Sequence, residues 1–320
     1  MKTAGKSRSI RLKEQTPRID VWHTPPGKYR RGTDGSLARG PFRARTDGQG
    51  FLITGNTGLR GHAVYFLGGS FVESMYADED RRFVSQVERA LRDEGPSHRC
   101  FNAGYSGATT LQLINVLVNK ILPVLRPNDT VVFFVPQSDS DVVDREGGYW
   151  LKTARHAPII PVADEKYIAP VVGPQFEQTT QLLELVQAIR LTFRINLVLV
   201  ASPMRNEEPE SAYYARRFTA GTSERVVALR RGLISSVRRY ARSSPGLPFI
   251  DAAAMLDGHP ELFYDDLHLN HEGQDQFAKT FVSALIPRLA GGSRWNQHRF
   301  RRRLRKAIQQ YKIYDPVRRR

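Results

Sequence analysis

Five short strand-like runs, each separated from the next by a helix-length segment, constrain this chain more than any other feature. The runs are Ala63–Leu67, Arg99–Ala103, Thr130–Pro136, Ile195–Ala201 and Leu247–Asp251. The most apolar of them are far too short to span a bilayer and lack polar alternation, which suits strands buried on both faces. The intervening segments Arg81–Asp93, Thr110–Leu125, Phe176–Arg194 and Ser223–Arg242 read as helices, and Glu272–Leu289 as the last helix of the body. In the second of these, Leu113, Leu117, Ile121 and Leu125 recur every four residues and form one stripe. Pro127-Asn128-Asp129 stops it before the next strand. The alternation predicts an α/β domain with a central parallel sheet covered by helices on both faces. Such sheets bind ligands at the carboxyl ends of their strands, so a candidate site must lie just past a strand end.

Charge divides the chain into three parts. Residues 1–50 hold 12 Lys/Arg against 4 Asp/Glu, residues 291–320 hold 11 against 1, and residues 51–290 hold 25 against 27. The net +16 therefore belongs to the two ends, and the chemistry is expected in the near-neutral middle. We expect a basic, irregular N-terminal arm (1–60) with a short hairpin through Phe42–Ile53, a catalytic body (61–290), and a basic amphipathic C-terminal tail (291–320). In the tail, Phe300, Leu304, Ile308 and Tyr311 share one helical face among arginines. Three partners suit it: the body itself, an anionic membrane surface, or a polyanion. No zinc-finger, helix-turn-helix or RNA-binding signature points to sequence-specific nucleic-acid recognition. The polar, basic start has no apolar run after it, so a cytoplasmic location is the expectation. The single cysteine, Cys100, falls in a strand and reads as a buried apolar residue. Residues 140–175 are punctuated by Pro and Gly and read as an insertion or lid.

Ser70 follows the first strand in Phe66-Leu67-Gly68-Gly69-Ser70. Two glycines permit a tight turn that leaves the hydroxyl free, but a serine so placed needs a base to become a nucleophile. The competing reading is a helix cap, with Ser70 and Glu73 as a capping box. Asp265-Asp266-Leu267-His268 follows the last strand, and its spacing lets a carboxylate fix the imidazole while the other ring nitrogen faces a serine. Asp266 is the alternative orienter, and Asp265-x-x-His268-x-x-His271 is an alternative metal triad. Two more loops reach the same edge, Asn102–Gly107 and Pro136–Asp139.

These blocks, in this order, resemble the SGNH/GDSL hydrolase superfamily over about residues 50–289. The match is nearest to a subgroup with Gly-Gly-Ser in the first block (Gly68-Gly69-Ser70), Asn-Ala-Gly-x-Ser-Gly in the second (Asn102–Gly107), and a Tyr-Trp pair after the third (Tyr149-Trp150). The resemblance implies a three-layer flavodoxin-like fold, no metal and no cofactor. It implies Ser70 as nucleophile, His268 as base, Asp265 as orienter, and the backbone N–H groups of Ser70 and Gly104 as oxyanion donors. Substrates would be short acyl esters, chiefly O-acetyl esters on a carbohydrate or related small molecule. One block departs from the family: Ser138 stands where an asparagine amide is the usual third donor, and Pro136 replaces a glycine. Gln137 is the alternative source of an amide. A serine esterase is the leading reading. The others are an O-acyltransferase acting on a glycan and a catalytically weakened binding protein for a polyanion.

Overall fold

A computed structural model describes residues 7–55, 61–93, 98–161, 176–219 and 221–289. The basic tail 291–320 lies outside them, as does the 162–175 part of the expected lid. Five strands form the central sheet: β1 (His62–Gly68), β2 (His98–Gly104), β3 (Thr130–Val135), β4 (Asn196–Ala201) and β5 (Phe249–Asp251). All pairings are parallel, and the spatial order is β2-β1-β3-β4-β5. This is the flavodoxin-like doubly wound order, whose switch point lies between β1 and β3.

The two faces of the sheet show why the strands are apolar almost without interruption. Val64, Phe66, Val132, Phe134, Val198 and Val200 point to one face. They pack there on α2 (Phe83–Asp93) and α6 (His271–Leu285), together with the four-residue α1 (Ser70–Glu73). Tyr65, Leu67, Val131, Phe133, Leu197 and Leu199 point to the other. That face is covered by α3 (Thr110–Val116), α4 (Glu177–Thr192) and α5 (Thr222–Ser243). The period of two thus places alternate residues of one strand in two separate cores. A cluster of six phenylalanines, Phe66, Phe71, Phe83, Phe134, Phe277 and Phe281, fills the first core beneath Ser70.

Helix ends fall close to expectation, with two differences. The stripe Leu113–Leu117–Ile121 is buried, but the α-helix ends at Val116 and continues as a π-turn, Leu117–Ile121, and a 3-10 turn, Leu122–Val124. Pro123 sits inside the last turn and cannot donate to a continuing α-helix. Likewise, Pro287 lies in the 3-10 turn that ends α6.

The N-terminal residues pack on the body. Asp20–His23 pairs antiparallel with Phe42–Arg45, so the main partner of Phe42–Arg45 is this earlier segment and not the residues up to Ile53. A bridge from Thr46 to Leu52 does turn the chain back, and Leu52 N–H then donates to Asn102 O at 2.9 Å. Phe42, Phe51 and Leu52 are buried, and the segment covers part of the free edge of β2. An uncovered edge would otherwise offer unpaired N–H and C=O groups to other chains.

Register then sets the site. Gly68 is paired with Gly104, so β1 and β2 end side by side. A Cβ on Gly104 would come within 2.2 Å of Glu73 N and 2.6 Å of Glu73 Cα, so only glycine lets β2 approach the backbone of α1 this closely. Gly104→Ala is expected to destabilise the fold by at least about 1–3 kcal/mol, because rigid backbone must move. Thermal unfolding would show a clearly lowered Tm; an unchanged Tm would mean that α1 is free to shift.

Candidate active site

β1 ends at Gly68, Gly69 caps α1, and Ser70 is the first helical residue. The capping-box expectation is therefore corrected. Glu73 turns instead to the N-terminal segment and to the loop after β2, accepting from Gln15 Nε2 at 2.6 Å and from Ser106 Oγ. Ser70, freed of the capping role, presents its hydroxyl to His268. The Ser70 Oγ to His268 Nε2 distance is 2.7 Å, and His268 Nδ1 lies 2.7 Å from Asp265 Oδ2. The loop after β5 thus returns to β1, across 198 residues of sequence.

Asp265 is buried, and its carboxylate is fully occupied. Oδ1 accepts from Leu267 N at 2.8 Å and His268 N at 2.7 Å; Oδ2 accepts from the Tyr29 hydroxyl at 2.7 Å as well as facing the imidazole. Burial opposes its charge, but the His268 imidazole and these donors outweigh burial and hold its pKa well below the carboxylate range. Burial likewise opposes a charged His268, yet the Asp265 carboxylate beside it wins and raises the imidazole above its ordinary value. Tyr264 stacks on His268 with ring centroids 5.7 Å apart and planes 15° apart, which limits ring rotation.

The alternatives point elsewhere. Asp266 is bound by Arg230 Nη1 at 2.5 Å, with Arg217 at 3.6 Å, and so anchors the loop from behind. His271 opens α6 and faces Arg81 (3.3 Å) and Asp78 (3.8 Å), not His268. The metal-triad reading thus fails on geometry. Among the described residues no group of three His, Cys, Asp or Glu side chains could hold a metal ion.

The expected oxyanion donors are brought to the same edge but need reassignment. Gly104 N–H is committed to Asn102 Oδ1 at 2.9 Å, while Gly104 Cα abuts α1, so it serves packing. Three residues on, Gly107 is buried with φ +71°, and its N–H meets no acceptor among the described residues. Ser70 N–H, at the first position of a helix, also has no intrahelical partner. Gln137 turns its amide toward the backbone: Nε2 donates to Ser202 O at 2.9 Å, which spends one of its two N–H groups. Ser138 is buried, and its Oγ lies 4.0 Å from where a Cβ on Gly69 would sit. Its turn is tied down by Asp139, which accepts from Thr110 N at 2.8 Å and Thr110 Oγ1 at 2.6 Å. Burial pushes the Asp139 carboxyl up to about 7 against those hydrogen bonds.

Tyr29 was not legible as a site residue. It follows Pro25-Pro26-Gly27-Lys28, a turn signal with no catalytic pattern, and meets Asp265 across 236 positions.

No established protein-family description matches the sequence, and no curated protein matches it. Solved structures do. A lipase/acylhydrolase from Enterococcus faecalis is similar over 72% of this chain and 97% of its own, with 18% identity and a TM-score of 0.49. A member of the lipolytic G-D-S-L family from Veillonella parvula is similar over 68% and 95%, with 13% identity and a TM-score of 0.46. An acetylxylan esterase from Geobacillus stearothermophilus is similar over 70% and 94%, with 13% identity and a TM-score of 0.43.

Two outcomes follow from the geometry. A base must be neutral to accept a proton, so the acidic limb of the pH–rate profile should lie above the ordinary histidine value near 6.5. A limb at or below that value would mean that Asp265 does not act on His268 in solution. Tyr29→Phe removes one of four groups facing Asp265 and should lower kcat several-fold, with KM nearly unchanged and the limb displaced. An identical profile would make Tyr29 a packing residue only.

Proposed function

We propose that the protein is a serine esterase of the SGNH/GDSL hydrolase type, acting on short acyl esters. One observation carries this reading: a continuous Ser70–His268–Asp265 hydrogen-bond chain with both links at 2.7 Å. In this mechanism Ser70 Oγ attacks the ester carbonyl as His268 Nε2 takes its proton. Negative charge then collects on the carbonyl oxygen, and Ser70 N–H and Gly107 N–H are the backbone donors suited to receive it. His268 returns the proton to the departing alcohol. Water, activated by the same imidazole, then releases the acid from Ser70. Asp265 keeps the imidazole in one orientation and stabilises its charged form throughout. The resemblance of the sequence blocks points to O-acetyl groups on a carbohydrate as the substrate class.

A fluorophosphonate probe should label Ser70, and Ser70→Ala should abolish both labelling and p-nitrophenyl acetate hydrolysis. His268→Ala should come close to the same loss. Labelling that persists in Ser70→Ala would overturn the assignment.

With the Gln137 amide turned toward Ser202 O, the third oxyanion donor is the short Ser138 hydroxyl or none. Ser138→Asn is therefore expected to raise kcat for a simple acetyl ester, by up to the roughly 10²-fold that one donor is worth. Pro136 stiffens this loop and sets the upper bound on how well the longer side chain seats. A kcat that stays flat or falls would show that the hole is already complete.

A further inference from the structure

A second cluster of charge sits beside the triad and has no role in the mechanism above. Lys13 is 3% exposed. Its Nζ lies 5.0 Å from the centre of the Tyr105 ring and has no hydrogen-bond or ion-pair partner among the described residues. Tyr105 N–H in turn donates to Gly68 O at 3.1 Å, which places the Tyr105 backbone beside the Gly68-Gly69-Ser70 turn. Arg155 crosses the neighbouring Gly107: a Cβ there would meet Arg155 Nε at 2.6 Å. Its ion pair among the described residues is a long one, 3.9 Å to Asp141, and more than half of its side chain is exposed. His156, next in sequence, is buried, and its Nε2 has no hydrogen-bond partner among the described residues. Arg11 adds a third cation, held over the same segment by Ala154 O and Pro158 O.

An unpaired ammonium this deeply buried is costly unless something compensates it. The nearby carboxyl is Glu73, but both its oxygens are taken by Gln15 and Ser106, and burial pushes it toward its neutral form. Tyr105 offers a ring face, worth less than an ion pair. The cluster is thus cationic, with little compensating negative charge among the described residues, and Arg155 brings it next to Gly107 of the proposed oxyanion donors.

We propose that Lys13 and Arg155, with His156 behind them, form a subsite for a carboxylate carried by the ester substrate. This rests on the esterase reading of Ser70 and narrows its substrate class to acidic esters. The carboxylate can sit on the acyl half, as in a succinyl ester, or on the alcohol half, as in an acetylated acidic sugar. Burial first, then Arg11 and Arg155, bring the Lys13 ammonium down to about 8, opposed by Glu73. Lys13 is charged below that pH, so the preference for an anionic ester should be present there and decline as pH rises through it. Burial, and then Arg155, hold His156 below the ordinary histidine value, and a neutral imidazole does not change that sign.

The test compares matched esters on the intact chain. Mono-4-nitrophenyl succinate against 4-nitrophenyl butyrate places the charge on the acyl half. 4-Acetoxybenzoate against phenyl acetate places it on the alcohol half. In one of the two pairs kcat/KM should favour the charged ester by tenfold or more, and the pair that responds identifies the half. Lys13→Met keeps the apolar stem, and Arg155→Gln changes an exposed side chain; each should bring the charged-to-neutral ratio close to one. Equal rates within both pairs, or a ratio that survives both substitutions, would overturn the subsite. Calorimetry of succinate and 4-acetoxybenzoate on Ser70→Ala separates this from the esterase reading. Binding lost with Lys13→Met supports the subsite even where Ser70 proves non-catalytic; no binding in any variant counts against it.

Discussion

The Asp265 carboxylate is the constraint around which the candidate site is arranged. A buried anion is tolerable only when its lone pairs are met, and four groups meet this one: two backbone N–H groups of its own loop, the His268 imidazole, and the Tyr29 hydroxyl. The first two fold the loop into a tight turn and so fix where His268 begins. The third sets the direction of the imidazole, and with it the position at which Ser70 can be deprotonated. The fourth ties in residues far from the sheet. Asp266 completes the arrangement from the opposite side by binding Arg230, so adjacent carboxylates hold the loop between two anchors.

Much of this was readable in the sequence because it depends on local pattern. Uninterrupted apolar strands and four-residue stripes are set by burial on two faces, so the layered fold and the edge that carries Ser70, Gly107 and His268 followed directly. The same holds for the Asp265–His268 pair, whose spacing is a local geometric requirement. What was not readable depends on where side chains go once the layers close. Gly104 and Gly107 are equivalent in a string of letters. They differ because β2 runs against α1, which uses the first glycine for close approach and leaves the second with an N–H that meets no acceptor among the described residues. Gln137 looked like a source of an amide until its loop turned that amide toward Ser202. Helix α3 was expected to run to Leu125, but the proline at 123 forces looser turns that its apolar stripe does not reveal.

The N-terminal residues changed most in meaning. As sequence they are a basic, glycine- and proline-rich stretch. In the structure they cover the edge of β2 through Leu52, satisfy Glu73 through Gln15, and support Asp265 through Tyr29. Their basic character is also partly spent locally: Arg43 pairs with Asp20 and Arg45 with Glu79. Lys13 differs: it is buried with no ion-pair partner among the described residues, and it is the residue through which this stretch would bear on substrate choice in the proposed subsite.

The Tyr29–Asp265 contact also bears on how the protein is made. The two residues are 236 positions apart, so during synthesis Tyr29 leaves the ribosome long before its acceptor exists. The strand edge that Leu52 covers appears only when β2 has been made, and the catalytic loop only after all five strands. This earlier-made segment can meet β2 through Leu52 once that strand exists, but its Tyr29 contact must wait for the Asp265 loop. On the proposed esterase reading, competence would then arrive late: a truncated chain that lacks the Asp265–His268 loop has Ser70 but not the imidazole that faces it.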